Sequence, residues 1–216
     1  MMMMLWMALS ALGSMSVTGP LCIAVAVWLL AGRTWRLSLS WCMLFGIGLL
    51  LVALTKIAYY GWGIGIPQWK FAGLSGHAMR ACAVYPVVFY LMFLKARPVA
   101  RHAALAVGVL FAAVISFSRV PVLAHSVSEV VLGGGVGFAV AAAFIVTARS
   151  EQPAAVGRIL VALCVPLVLV MPFTKPMPAE RWVKQMAMYL SGNDPVQRAW
   201  KLGPDYKQYK KAQGPV

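Results

Sequence analysis

Residues 118–129 read Ser-Arg-Val-Pro-Val-Leu-Ala-His-Ser-Val-Ser-Glu, and Ser75-Gly76-His77 stand upstream of them. Two of the chain's three histidines, an arginine and a carboxylate thus sit at the ends of apolar runs, in a chain where only 11% of residues are charged. Polar groups at the margin of a membrane span are costly and mark function. His125 and Glu129 are four apart, so on a helix their side chains share a face. A carboxylate bonded to one ring nitrogen fixes the tautomer and leaves the other nitrogen as a nucleophile. His77, from a different run, can protonate a departing alkoxide as a general acid. Ser75 reads as a helix N-cap that leaves free N–H groups at Gly76 and His77, where an anion can bind closely. Arg119 offers a planar fork matched to phosphate oxygens. This set of groups suits the holding and splitting of a phosphate ester.

Each residue has a plainer reading. His125 and Glu129 could form a metal pair, with His77 as the third ligand within reach. Lys56 could snorkel from an apolar run to the interface. His102, beside Arg101, reads as a headgroup neighbour. Tyr59, Tyr60, Trp62, Trp69 and Phe71 read mainly as an aromatic belt, with lipid entry as the alternative.

The elements that must position these groups are membrane helices. The chain has 216 residues, 62% of them hydrophobic, and a mean hydropathy of +0.81. That apolar excess falls in long runs, as in an all-α, polytopic membrane bundle. Breaks at charged and turn-rich points predict about six spans, at roughly 17–33, 37–60, 76–96, 99–118, 122–148 and 155–172. Residues 5–14 form either an interfacial turn or an outer extension of the first span across Pro20. From His77 to Arg119 the chain has room for one crossing inward and one back, so Arg119 returns to the face that His77 left. Lys56, His77, Arg119 and His125 then converge on one membrane surface. Gly133, Gly134, Gly135 and Gly137 read as positions for close helix packing.

The net charge of +14, from 19 Lys plus Arg against 5 Asp plus Glu, suggests topology signals and attraction to anionic lipid rather than nucleic acid. Arg33 with Arg36, Lys95 with Arg97 and Arg101, and Arg149 with Arg158 occupy alternate loops. The positive-inside rule puts those loops in the cytoplasm and both termini outside, whereas Lys175, Arg181 and Lys184 on the outer side pull against it. Cys22, Cys42, Cys82 and Cys164 lie in apolar runs without metal or disulfide spacing and read as small buried hydrophobes. No basic leader precedes the first span, which is expected to direct insertion itself. Residues 173–216 form a basic tail. Pro178 and Glu180 start a helix there and Gly192 stops it. Trp182, Val183, Met186, Tyr189 and Leu190 share a face suited either to a membrane surface or to packing on the bundle. Asp205 to Lys211 reads as a mobile basic end.

Taken together, these residues resemble the type-2 phosphatidic acid phosphatase superfamily, the membrane lipid phosphatases related to vanadium haloperoxidases. Its motifs are Lys-x6-Arg-Pro, Pro-Ser-Gly-His and Ser-Arg-x5-His-x3-Asp. The third is met at Ser118, Arg119 and His125, with Glu129 for Asp, and the second at Ser75, Gly76 and His77, with Leu74 for Pro. Lys56 starts the first, but no Arg-Pro follows. The resemblance covers roughly residues 37–148. It implies a phosphohistidine on His125, leaving-group protonation by His77, and a phosphate cradle of Lys56, Ser75, Gly76, Ser118 and Arg119, with no metal or other cofactor. Lys70 or Arg80 could replace the missing arginine. Residues 1–172 then form a six-helix phosphatase-like domain in the inner membrane, with the site facing the periplasm or exterior. The partner is a lipid phosphate: a prenyl diphosphate, phosphatidate, phosphatidylglycerol phosphate or lipid A type. Phosphotransfer to another lipid, or phosphate-lipid binding or transport without turnover, remain the alternatives.

Overall fold

The computed structural model describes residues 2–150, 157–170 and 179–198. Eight helices are described: α1 (Met2–Leu12), α2 (Met15–Ala31), α3 (Trp35–Trp62), α4 (Gly76–Met92), α5 (Pro98–Phe117), α6 (Val127–Ser150), α7 (Gly157–Val170) and α8 (Ala179–Ser191). Among the described residues there is no strand. One isolated bridge, between Ile66 and Phe71, closes the 3-10 turn Pro67–Trp69.

Among the described residues, four stretches are long and apolar enough to cross a membrane: Met2–Ala31, Trp35–Trp62, Pro98–Phe117 and Val127–Arg149. The expected third and sixth spans are the shorter helices α4 and α7, of 17 and 14 residues. Their outward-facing neighbours are greasy: Ile47, Leu50, Leu54, Leu110, Val131 and Val146 are all exposed, an apolar surface that a bilayer would cover. Residues 5–14 are not an interfacial turn: residues 5–12 belong to α1, broken from α2 at Gly13–Ser14. α1 and α2 together make the first long apolar stretch, so the segment extends the first span. Trp6 meets Phe117 of α5 edge-on at 5.7 Å.

The helix ends follow local chemistry. Ser75 caps α4, its hydroxyl accepting the Ala78 N–H at 3.4 Å. Pro98 opens α5, where no N–H is needed. Gly63 closes α3 at φ 71°, its N–H bonding the Tyr59 carbonyl at 2.8 Å. The helix expected from residue 122 starts only at Val127. Pro121 and Leu123, the latter at φ 51°, lie in a turn, and Ser126 caps α6 by accepting the Glu129 N–H at 3.3 Å. His125 therefore projects from a loop and not from the first turn of a span.

α4 is the hub. All its residues but His77, Phe89 and Met92 are buried, and α2, α3, α5, α6 and α7 all pack on it. The approach of α6 is closest because two of the four predicted glycines face α4. A Cβ at Gly133 would lie 2.6 Å from the Ser75 carbonyl oxygen, and one at Gly137 would collide with the Met79 carbonyl. Gly135 faces open space, and Gly134 is in ordinary contact with Cys82.

The tail helix α8 docks on α3. Ala187 is buried against Gly61, and the Tyr60 hydroxyl donates to Glu180 Oε1 at 2.8 Å. Tyr60 is thus a buried anchor, 2% exposed, and not part of an interfacial belt, whereas Trp62 and Trp69 are exposed. Trp182, Met186, Tyr189 and Leu190 of α8 keep exposed apolar faces, so the helix both packs on the bundle and presents a greasy surface. Gly192, at φ 70°, follows its last turn as expected. Of the cysteines, all four are free; Cys82 and Cys164 are buried, but Cys42 is exposed. Pro178, Lys175, the side chain of Arg158 and the run from Asp205 to Lys211 lie outside the described residues.

The glycine contact yields a test of the packing. Gly137→Leu should lower thermal stability in detergent by about 1–3 kcal/mol or prevent folding, since α6 must move off α4. Gly135→Ala should be neutral or slightly stabilising. Equal effects of the two would contradict the close α4–α6 approach.

Candidate active site

The close approach of α6 to α4 joins the two halves of the site through the backbone: the Ser75 N–H donates to the Glu129 carbonyl at 3.0 Å. Residues 75–77 and 125–129 are thereby fixed on each other. From α6 the Glu129 side chain, fully buried, turns back to the preceding loop. Its Oε2 lies 2.5 Å from Nδ1 of His125. The added methylene relative to aspartate is absorbed because His125 sits in the loop and not on the helix. Glu129 Oε1 accepts the Ala72 N–H at 3.0 Å. With Nδ1 engaged, Nε2 of His125 is the nitrogen left for chemistry.

The loop that carries His125 is folded on Arg119. The N–H groups of Ala124 and His125 both reach the Arg119 carbonyl, at 3.1 and 3.2 Å. Burial, then the charges of Lys56, Arg198 and Arg119 and the proximity of His77, hold the His125 imidazole well below the ordinary histidine range. It is a free base at neutral pH.

A cavity of about 420 Å³ is lined at one end by Lys56, Gly76, His77, Arg80 and His125. Three separate elements deliver these residues, α3, α4 and the loop before α6, and Ala179 to Val183 of α8 line the cavity as well. Leu49, Val52 and Ala53 of α3, with Met15 of α2, continue it as an apolar wall. Lys56 is buried at 7% exposure. It stays close to the loop before α4 because Gly73, at φ 97°, lies against the Lys56 backbone, and the Thr55 hydroxyl accepts the Leu74 N–H at 3.1 Å.

Not every residue read as site-forming faces this cavity. Arg80 does, and a Cβ at Gly76 would lie 3.0 Å from its Nη1. It is held by the Thr18 hydroxyl at 3.2 Å and the Gly13 carbonyl at 3.4 Å. Lys70 does not. It is exposed beyond the 3-10 turn, in the left-handed conformation, and lines a different cavity with Tyr59 and Phe71. Ser118 is fully buried, and its hydroxyl donates to the Ile115 carbonyl at 2.6 Å, finishing α5. The Ser75 hydroxyl is spent on its cap, so only the backbone beyond it meets the cavity. Arg119 is half-buried beside the site, and its guanidinium donates to the Ser10 hydroxyl of α1. Glu129 does not line the cavity, its carboxylate being turned to His125. His102 lies exposed at the start of α5.

Two contributors escaped the sequence reading. One is the α1–α2 junction, whose Ser10, Gly13 and Thr18 hold both arginines. The other is Arg198. It is 3% exposed, its Nη1 donating to the Ala124 carbonyl at 3.1 Å and its Nε 3.7 Å from Glu129 Oε1. Nothing local marks it among the tail's other cations.

A sequence model of the PAP2 superfamily matches residues 56–152, from Lys56 to just beyond α6. The chain is also 34% identical over 188 residues to an "Uncharacterized 22.5 kDa protein in cps region" of Klebsiella pneumoniae, covering 84% of this chain and 90% of that protein. No solved structure matches. With Lys56, Gly76, His77 and His125 of the motifs on one cavity and these likenesses in hand, the chain belongs to the PAP2 superfamily, a family of phosphatases.

Proposed function

We propose that this protein is an integral-membrane phosphatase that cleaves a lipid-linked phosphate monoester or diphosphate through a phosphohistidine on His125. The observation that carries the reading is the composition of the cavity: His77, His125, Lys56 and Arg80 line it together with an apolar wall of Leu49, Val52 and Ala53 on α3. A phosphate fits the first and a hydrocarbon chain the second.

In the reaction, the Nε2 lone pair of His125 attacks phosphorus as the bond to the leaving oxygen breaks, and that oxygen takes its electron pair and a proton from His77. Water then attacks the phosphoryl group and gives its proton back to His77. The P–N bond breaks with its pair returning to Nε2. Lys56, Arg80, the Gly76 N–H and the field of Arg119 neutralise the charge on the equatorial oxygens, the role that fixed donors and cations perform for transferred phosphoryl groups. Arg80 supplies the cation that the incomplete first motif lacks.

The remaining assignments extend this reading. α1–α2, α3, α4, α5, α6 and α7 would make six crossings of a cell inner membrane, with residues 179–198 as an outer tail on the bundle. The loops at Arg33–Arg36 and Lys95–Arg101 and the end of α6 at Arg149 lie at the helix ends away from the site, so the positive-inside rule directs the site to the periplasm or exterior. The exposed apolar face of α8 would rest among lipids, and its cations would attract anionic headgroups.

Purified protein should release phosphate from at least one of a panel of prenyl diphosphates, phosphatidate, phosphatidylglycerol phosphate and lipid A phosphates. His125→Ala should abolish release with the fold intact. His77→Ala should be milder for a diphosphate, whose leaving group is already acidic, than for a monoester. Binding of these lipids without release would instead favour a non-catalytic relative, and near-normal release by His125→Ala would refute the nucleophile.

The free-base state of His125 sets the pH dependence. Because its imidazole is held below the usual value of about 6.5, protonation should remove the nucleophile only well below that pH. The acid limb of kcat/KM should therefore lie below pH 6.5; a limb at or above it would contradict the assignment.

Topology is tested with single cysteines at two exposed positions, Gln68→Cys by the site and Val99→Cys at the far end, in a background lacking the four native cysteines. An impermeant thiol reagent on intact cells should label the first and spare the second. The opposite pattern would invert the orientation.

A further inference from the structure

The segment after α8 does more than trail from the bundle. The Val196 N–H donates to the Tyr60 carbonyl at 2.9 Å, and the Tyr59 hydroxyl donates to the Gln197 carbonyl at 3.2 Å. With Tyr60 bonded to Glu180 at the other end of α8, residues 180–197 are tied to the end of α3 at both extremities. This strap delivers Arg198 into the protein, with its guanidinium 5.9 Å from the centre of the Tyr60 ring.

Arg198 is not among the residues lining the cavity. It lies behind the catalytic pair. It holds the carbonyl of Ala124, the residue just before His125, and it pairs with the Glu129 oxygen that His125 does not use. A buried guanidinium needs a counter-charge, and a buried carboxylate equally needs a cation. Each supplies the other's counter-charge across 3.7 Å, without a hydrogen bond between them, while Glu129 Oε2 stays aimed at Nδ1. The same group thus clamps the nucleophile's backbone and its orienting carboxylate.

We infer that Arg198 is a positioning residue for His125, supplied by the C-terminal strap, which keeps Glu129 ionised and the imidazole in the tautomer that bares Nε2. This rests on the reading of His125 as the nucleophile. It differs from the role of Lys56 and Arg80, which face the phosphate itself. Other charged and titratable groups around the pair are Lys56 and Tyr59 on α3, His77 and Arg80 on α4, and Arg119 after α5. Arg198 makes both contacts, to the Ala124 carbonyl and to Glu129 Oε1.

The test uses full-length protein carrying Arg198→Ala, Arg198→Gln and Arg198→Lys. Arg198→Ala should lower kcat about tenfold or more with KM changed by less than about twofold, the pattern of a group acting in the transition state and not in uniform binding. Arg198→Gln should match it, and Arg198→Lys, which keeps the charge, should recover much of the loss. In protein labelled with 15N-histidine, His125 should show a single tautomer, protonated at Nδ1, in the wild type and a mixture in Arg198→Ala. Only three histidines need resolving. If Arg198→Ala fails to fold, the glutamine and lysine variants carry the same comparison. An unchanged kcat, a raised KM with kcat kept, or an unaltered His125 tautomer in the uncharged variants would overturn the inference. Failure of the phosphatase reading itself shows separately, as a wild type without turnover, while the nitrogen signature still reports on Arg198.

Discussion

The bond from the Ser75 N–H to the Glu129 carbonyl is the contact on which the rest of the site depends. It forms because Gly133 and Gly137 let α6 lie directly on the backbone of α4. A side chain at either glycine would push the helices apart by more than a hydrogen bond tolerates. With the contact made, the capped start of α4 and the capped start of α6 face each other, and Gly76 and His77 of one meet the histidine ahead of the other. Small residues at a helix crossing are the usual means of close approach inside a membrane. Here they also set the geometry of the candidate site.

A second constraint is electrostatic. Lys56, Arg80, Arg119 and Arg198 surround two histidines and Glu129, the one buried carboxylate among the described residues. Buried cations without counter-charge are costly, so the protein spends backbone and hydroxyl acceptors on them. Ser10, Gly13 and Thr18 hold Arg119 and Arg80, and Ala124 holds Arg198. The cation excess at the cavity is what a dianionic ester would neutralise on binding. This explains why α1 and the tail, which carry no motif, are folded against the site.

Much of this was legible in the sequence because it is local. The Ser75 cap, the stop at Gly192 and the pairing of His125 with Glu129 all depend on residues within a few positions of one another. The convergence of Lys56, His77 and His125 followed from span length alone. What was not legible depends on tertiary contact. Ser118 reads as a phosphate ligand by motif, yet it finishes α5. Lys70 and Arg80 were equal candidates until α4 buried one and the 3-10 turn exposed the other. Pro121 to Ala124 are apolar enough to pass for helix, so the sequence starts α6 too early. Arg198 is one cation in a basic tail, and only the docking of α8 on Gly61 and Tyr60 distinguishes it.

The most direct measurement of the central claim is to trap the covalent intermediate. Protein mixed with a lipid substrate labelled in the transferred phosphate, and quenched within a turnover, should carry label that is stable in alkali and released by acid, as a P–N bond is. Peptide mapping should place it on His125, and His125→Ala should carry none. Rapid turnover with no labelled protein, or the same labelling in His125→Ala, would contradict the account.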